Sequence, residues 1–464
     1  MNQEIIYLEE GNISIRQNFW KEIERSKKQY AHIVMIATKP DIIKQAPLYQ
    51  ELQKRGELLI LVHTGQHYDY NLSEGVLGEF GMRVDVKLGI SGKLHEKFSQ
   101  VIERLGNFLD KLANEYGKIP VPYVHGDTMT ATTADKAAFL NKFAVVHVEA
   151  GIRTFTPNEH FFNRVFTEFQ HGKFDWEQYY SFLQDQRIYE LGSIEPYPEQ
   201  FDTRGIEAST GFFALPHEIY KRTLMNEGFL EDRMAVVGNT VADAVKISSA
   251  KIPESNAFAM YPNMKYKKLI FVTVHRRENC ETEERFKAIY FAIKKLVQDG
   301  FPVCFLGLNA SESAIDRYGL RSDIEQLVED YRDNFAYGPA LAHHHEVMDM
   351  LSKAGCVMTD SGSMQEEANI IGTPCVTLRF GSDRTETILA GANVIAPPVN
   401  SRLIVEIVKG AYDNNNMRKS NIYGENVSEK IVDGVLKILE KEKKLFRLDH
   451  ERLNIEQFFD FEIS

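Results

Sequence analysis

A chain of 464 residues is too long for one ordinary hydrophobic core and points to two domains. Its 43% hydrophobic and 26% charged residues are those of a soluble globular protein; no apolar run is long enough to span a bilayer, and Met1-Asn2-Gln3-Glu4 opens no signal-peptide pattern, so a cytoplasmic protein without a membrane partner is expected. A formal charge of −12 argues against nucleic acid as a partner, and an anionic ligand would need local cations acting against that sign.

Residues 1–31 are polar, with Trp20 and Ile23 at helical spacing, and read as an N-terminal extension. From His32 the pattern becomes strand, helix, strand: His32–Ala37 is apolar, Ile42–Arg55 is an amphipathic helix and Leu58–Val62 is the next strand. Val121–Val124 and Ala144–Val148 continue as short buried strands around a helix near Thr133–Asn141. Between Phe155 and Ser193 the rhythm breaks into an aromatic, polar stretch without strand signal, read as a helical insertion at 155–193. Its aromatic residues are expected to cover part of the first domain or to form a lid, with a surface decoration as the alternative.

After a polar linker at Lys251–Lys267 the rhythm restarts. Lys268–Val274 is a strand, Thr282–Asp299 a helix, and Val303–Leu306, Cys356–Met358 and Pro374–Leu378 are further strands; Val427–Lys444 is a closing helix with a charged tail. Cys280, Cys304, Cys356 and Cys375 form no C-x-x-C pair and read as buried thiols, bound neither as disulfides nor to zinc. The expected fold is α/β, two doubly wound Rossmann-like domains facing across a cleft, with boundaries at 32–250 and 251–425 and a closing segment at 426–464.

Three constellations carry chemistry. Thr359-Asp360-Ser361-Gly362 is a small-residue turn between a strand and a helix, where free N–H groups and the dipole favour phosphate, and Gln365, Glu366 and Glu367 follow in the first turns, within reach of a ribose diol. Asp127 in His125-Gly126-Asp127-Thr128 and Glu149 in His147-Val148-Glu149-Ala150-Gly151 stand past the ends of two strands and converge on the cleft, although each alone could simply cap its loop. His275, Arg276 and Arg277 follow the first strand of the second domain and would face those acids. Such a site suits C–O cleavage at an anomeric carbon with a nucleoside diphosphate leaving. Neither G-x-G-x-x-G after the first strand nor a Walker loop is present. The run His343-His344-His345 with Asp349 reads as a polar loop at a helix start rather than a metal site.

In this order the motifs resemble the UDP-N-acetylglucosamine 2-epimerases, whose fold is of the two-domain glycosyltransferase-B type. The resemblance runs from His32 to Leu439 with 155–193 set aside, and rests on Pro40–Leu48, Thr64-Gly65-Gln66-His67, the Asp127 and Glu149 motifs, Gly238-Asn239-Thr240-Val241, His275–Asn279 and Asp360–Ala368. It implies a UDP-sugar substrate, no cofactor or metal, and allows for a homodimer. Asp127, Glu149 and a third glutamate would move protons, with His275 near the cleaving bond. Ser361, Gly362 and Arg379 would approach phosphate and Glu367 the ribose; Lys39, Lys44, Gln66, His67, Arg153, Arg276 and Asn309 complete the substrate contacts. Of two proline–glutamate stretches competing for the third acid, Pro196–Arg204 keeps the spacing better than Pro157–Arg164, giving Glu199 and Arg204. Three departures stand out: Lys39 replaces an arginine, Gly307 a histidine, and Ser382–Glu386 a Thr-Glu-Arg-Pro-Glu motif. The reaction implied inverts C2 of a UDP-N-acetylhexosamine by eliminating UDP to a 2-acetamidoglucal and adding it back. Alternatives are a hydrolysing epimerase, a UDP-sugar glycosyltransferase and a non-catalytic nucleotide-sugar binder.

Overall fold

The computed structural model describes residues 5–65, 70–455 and 458. Seven parallel strands of the first sheet run in the order Val86–Lys87, Leu58–His63, Tyr30–Ile36, Ile119–His125, Val145–Val148, Thr210–Leu215 and Met234–Val236. The chain winds from Tyr30–Ile36 to one edge, crosses back and winds to the other. The second sheet is wholly parallel, in the order Phe335–Pro339, Val303–Gly307, Leu269–Thr273, Ala354–Thr359, Cys375–Thr377 and Asn393–Ile395. Strands such as Ile33-Val34-Met35-Ile36 are apolar on both faces because helices cover both, and all four residues are buried. Two doubly wound α/β domains result, the arrangement of the glycosyltransferase-B type. Among the described residues no helix is long and apolar enough to cross a membrane. The four cysteines are buried and free.

The ends of the chain are part of the first domain. Tyr7–Glu10 and Ile13–Arg16, inside the expected extension, form a hairpin whose second strand pairs antiparallel with Val86–Lys87, while Phe19 and Ile23 enter the core from helix Phe19–Arg25. Helix Val427–Glu442 returns from the second domain and buries Ile431, Val432, Val435 and Leu439 beside Ile43 and Tyr49. Nor is Lys251–Lys267 a free linker: Ala257, Tyr261 and Met264 are buried in the second domain's core. The crossing is made earlier, by helix Val241–Ser249, which gives Ala244 to the first core and Val241 and Val245 to the second. Gly238 opens that crossing at φ +98°, and a Cβ there would lie 1.9 Å from the Tyr423 carbonyl oxygen, so the Gly238-Asn239 turn admits no side chain.

The insertion differs most from expectation. Two short strands, Phe155–Pro157 and Tyr189–Leu191, pair antiparallel at its neck, and helices Glu159–Gln170 and Trp176–Leu183 lie beyond. Most of its aromatic residues cover the second domain, and only Phe155 and Tyr189 at the neck pack beside Ile152, Ile219 and Tyr220 of the first. Phe161, Val165, Tyr179, Tyr180 and Leu183 share a core with Ile388, Ile395, Leu403 and Val408. The Tyr179 hydroxyl donates to the Ile395 carbonyl, and that of Tyr180 to those of Gly391 and Asn416 at 2.8 and 3.1 Å. Trp176 lies over Gly410, where any Cβ would meet the indole. At the root, Phe155 and Ser382 exchange backbone hydrogen bonds of 3.0 Å. A segment leaving the first domain is thus bonded to the second along its length.

Candidate active site

The first wall is built where parallel strands end. Strand Ile119–His125 delivers Asp127 and strand Val145–Val148 delivers Glu149, whose φ of +67° is unusual for a residue with a side chain. His147 Nε2 meets the Gly126 carbonyl at 2.7 Å and fixes the turn that carries Asp127. Glu149 Oε2 accepts from Lys44 Nζ and pairs with His125 Nε2, both at 2.7 Å, while Oε1 accepts from Arg384 of the second domain. Burial works to raise the Glu149 carboxyl, but Lys44, Arg384 and His125 together hold it well below the usual carboxylate range. Among the described residues Asp127 has no such clamp. Burial pushes its carboxyl up to about 6, against Arg384 and with repulsion from Glu199 and Asp383 adding to the rise.

Helix Glu199–Glu207 brings the third acid. Glu199 Oε1 accepts from Arg276 across the cleft, and its Oε2 is buried with no hydrogen-bond partner among the described residues. Glu159 and Arg164, from the competing stretch, lie exposed on the insertion's first helix, where Glu159 accepts from Asn163 and Arg164 pairs with Glu168.

The second wall supplies cations. Asp360 accepts the backbone N–H groups of His275 and Arg276 at 3.0 Å each, holding both residues at the end of strand Leu269–Thr273; His275 Nδ1 lies 3.2 Å from Asp360 Oδ1 with its ring partly exposed. Ser361 and Gly362 open helix Gly362–Ile371, and a Cβ on Gly362 would lie 3.4 Å from the Arg384 guanidinium. The turn thus stands beside the arginine that meets Glu149. Arg379 Nη1 donates to Asp383 at 2.6 Å, and the Asp383 carboxyl, despite burial, is held low by Arg379, Arg384 and Arg276. Glu367 is buried, with His344 Nε2 3.1 Å from its Oε1. Lys39 Nζ crosses the cleft to the carbonyls of Leu341 and Ala342 at 2.9 and 3.1 Å. Asn309 is exposed at the start of helix Asn309–Arg317, past the end of strand Val303–Gly307.

Two of the sequence-predicted contacts are placed elsewhere. Arg153 is fully buried inside the first domain, and its donors are taken by Glu207, Glu227 and the Ile152 carbonyl, leaving none for a substrate. Arg204 is 45% exposed and lies 3.7 Å from Glu227. Five residues after Glu199 on one helix, it points about 140° away from the acids. Gln66 and His67 lie outside the described residues.

Arg384 and Asp202 escaped the sequence reading, and Glu366, read there as an acid near a ribose, instead pairs with Lys44 and Arg384. Arg384 joins Glu149 to Glu366, whose other oxygen lies 2.6 Å from Lys44 Nζ; burial pushes the Glu366 carboxyl up to about 7. Asp202, on the helix of Glu199, is raised by burial to about 7 with Thr132 opposing. The signal for Arg384 was the Ser382–Glu386 motif itself, and for Glu366 its place beside Glu367. The histidine run begins helix His344–Lys353, and Glu79 accepts the N–H groups of His344 and His345 at 2.9 and 3.1 Å. Glu79, His343 and His345 bring ligand-type atoms within 4.8 Å of one another, whereas Asp349 turns away to pair with Lys353.

Two parallel-sheet domains with buried acids on one wall and arginines beside a phosphate-type turn on the other define a nucleotide-sugar enzyme of the glycosyltransferase-B type. The family model described as UDP-N-acetylglucosamine 2-epimerase matches residues 50–167 and 193–436, and the chain belongs to that family. The UDP-N-acetylglucosamine 2-epimerase of Methanocaldococcus jannaschii is 27% identical over 389 residues, covering 81% of this chain and 91% of that protein. The Bacillus subtilis enzyme of the same name is 28% identical, covering 80% and 84%. Among solved structures, the Neisseria meningitidis UDP-GlcNAc 2-epimerase bound to UDP-GlcNAc superposes with a TM-score of 0.69 at 26% identity, over 88% of this chain and all of that one. The gap in the family match, 168–192, falls within the insertion.

Proposed function

We infer that the chain is an isomerase that inverts C2 of UDP-N-acetylglucosamine, giving UDP-N-acetylmannosamine. The observation that carries the reading is the acid wall: Asp127, Glu149 and Glu199 stand together opposite Arg276 and Arg384, in a chain of the epimerase family. A glycosyl transfer needs one base and an acceptor groove, whereas removing a proton from C2 and returning one to its other face calls for more than one proton-carrying group beside the ring.

In this mechanism UDP departs with loss of the C2 proton, and the 2-acetamidoglucal is held until UDP returns and C2 is protonated on its other face. Asp127, raised to about 6, is suited to carry a proton near neutrality, and the free Oε2 of Glu199 offers a second acceptor. Glu149, clamped as an anion, aligns Lys44, His125 and Arg384 around the sugar and belongs to the same proton-transfer wall. Arg276, His275, Arg379 and the N–H groups opening helix Gly362–Ile371 stabilise charge on the departing diphosphate, and Glu367 holds the ribose. Buried thiols suit a reducing compartment, and the reading puts the enzyme in the cytoplasm, with neither nucleic acid nor membrane as partner and room for a homodimer. Chromatography of UDP-N-acetylglucosamine incubated with the enzyme tests the reading. UDP-N-acetylmannosamine should accumulate to an equilibrium mixture, and release of free N-acetylmannosamine with UDP would make it a hydrolase instead.

A further inference from the structure

Behind Glu367 runs a row of buried polar groups that the catalytic reading does not use. Glu367 Oε1 lies 3.1 Å from His344 Nε2, His344 Nδ1 lies 2.9 Å from Ser248 Oγ, and Ser248 Oγ donates to Glu79 Oε1 at 3.2 Å. All four side chains are buried. The row starts on the first domain at the end of helix Tyr70–Glu79, passes through the crossing helix Val241–Ser249, and ends on the second domain's helix Gly362–Ile371. Its direction is set by Glu79, whose carboxyl is held low, against burial, by the N–H of His344 and by His345, so that it only accepts. Ser248 gives Glu79 its one proton, hence its Oγ accepts from His344 Nδ1–H. With Nδ1–H so used, the 3.1 Å contact of Nε2 with Glu367 is a hydrogen bond when the pair carries one further proton, as an imidazolium N–H donating to the carboxylate or a carboxyl O–H donating to the ring.

We propose that His344 is a positioning residue: it fixes one oxygen of Glu367, leaving the other presented to the ribose hydroxyls, with the orientation set from the first domain through Glu79 and Ser248. The proposal rests on Glu367 as the ribose-holding acid. A carboxylate already fixed loses less conformational freedom when the nucleotide binds, so the row contributes to recognition of the ribose as distinct from the diphosphate. A merely structural histidine would change affinity for every nucleotide alike. One that positions Glu367 changes the preference between UDP and 2′-deoxy-UDP.

Calorimetry of both nucleotides with the full chain tests this. The wild type should bind UDP about tenfold more tightly than 2′-deoxy-UDP, the worth of one good hydrogen bond. Glu367→Gln should reduce that ratio below about threefold, and so should His344→Phe with a smaller effect on 2′-deoxy-UDP itself. Ser248→Ala leaves the imidazole in place and should lower the ratio in the same direction, which keeps the test open if His344→Phe does not fold. An unchanged ratio in Glu367→Gln would overturn the ribose reading and the proposal together. Loss of the ratio in Glu367→Gln with its retention in the His344 and Ser248 variants would overturn the positioning role alone.

Discussion

The excursion from Phe155 to Leu191 and the acid wall around Glu149 both reach from the first domain to the second, by opposite means. The excursion buries Phe161, Tyr179, Tyr180 and Leu183 and seats tyrosine hydroxyls on backbone carbonyls. The wall pairs Glu149 and Glu366 with Lys44 and Arg384, and Glu199 with Arg276. Burying an aromatic or leucine side chain contributes roughly 1.5–3 kcal/mol whether or not a ligand is present. A buried ion pair gains little net free energy, because desolvation offsets the attraction. The apolar tie therefore holds the domains close, and in the proposed mechanism the charges at the wall are the ones that exchange partners with a diphosphate and a sugar. On that reading stability lies in one region and chemistry in the other.

The largest effect that can break this division is at Asp127. Asp127→Asn, a near-isosteric change, should slow deuterium exchange at C2 by roughly 10²–10⁴-fold while UDP affinity by calorimetry stays within about twofold, and Glu199→Gln should do likewise. The excursion should respond in the opposite sense. Leu183 is fully buried, so Leu183→Ala should lower the unfolding free energy by about 2–5 kcal/mol in a urea titration, with turnover of the folded fraction little changed. A large loss of turnover without loss of stability would show that the excursion takes part in the chemistry.

Acidity sharpens the comparison. Burial raises the Asp127 carboxyl to about 6 from its ordinary 3.8. A carboxyl raised by folding contributes stability that is whole below pH 3.8 and is lost as the pH climbs through about 6. Relative to Asp127→Asn, the wild type should therefore lose on the order of 3 kcal/mol between pH 3.5 and pH 8. Denaturant curves at the two pH values measure this, and a constant difference would mean that Asp127 is not desolvated. The smallest effect is at Glu159, whose exposed carboxylate accepts from Asn163. Glu159→Gln should change stability by less than about 0.5 kcal/mol and leave turnover as it was.

How far the site could be read from sequence depended on how local its causes were. Strand runs such as Ile33–Ile36 and Val357-Met358 announce buried parallel strands, and an acid directly after such a run, as in Asp127 or Glu149, has few directions in which to point. Arg204 was misplaced because an offset preserved in sequence says nothing of helical phase, and five residues carry it to the far side of its helix. Arg153 looked free for a ligand because Glu207 and Glu227, which bind its guanidinium, come more than fifty residues later. The aromatic residues of the insertion signalled burial but not against what, since their partners, Ile395 and Gly391, lie some two hundred residues on. The ion pair of Arg384 with Glu149 joins two domains and leaves no periodic trace.

Proton NMR of UDP-N-acetylglucosamine with the enzyme in deuterated water tests the central claim most directly. The account predicts that the H2 signal disappears as deuterium enters C2, in step with new resonances of UDP-N-acetylmannosamine, and that Asp127→Asn suppresses both. Formation of UDP-N-acetylmannosamine with protium retained at C2, or a nucleotide sugar left unchanged by enzyme that binds it, would contradict it.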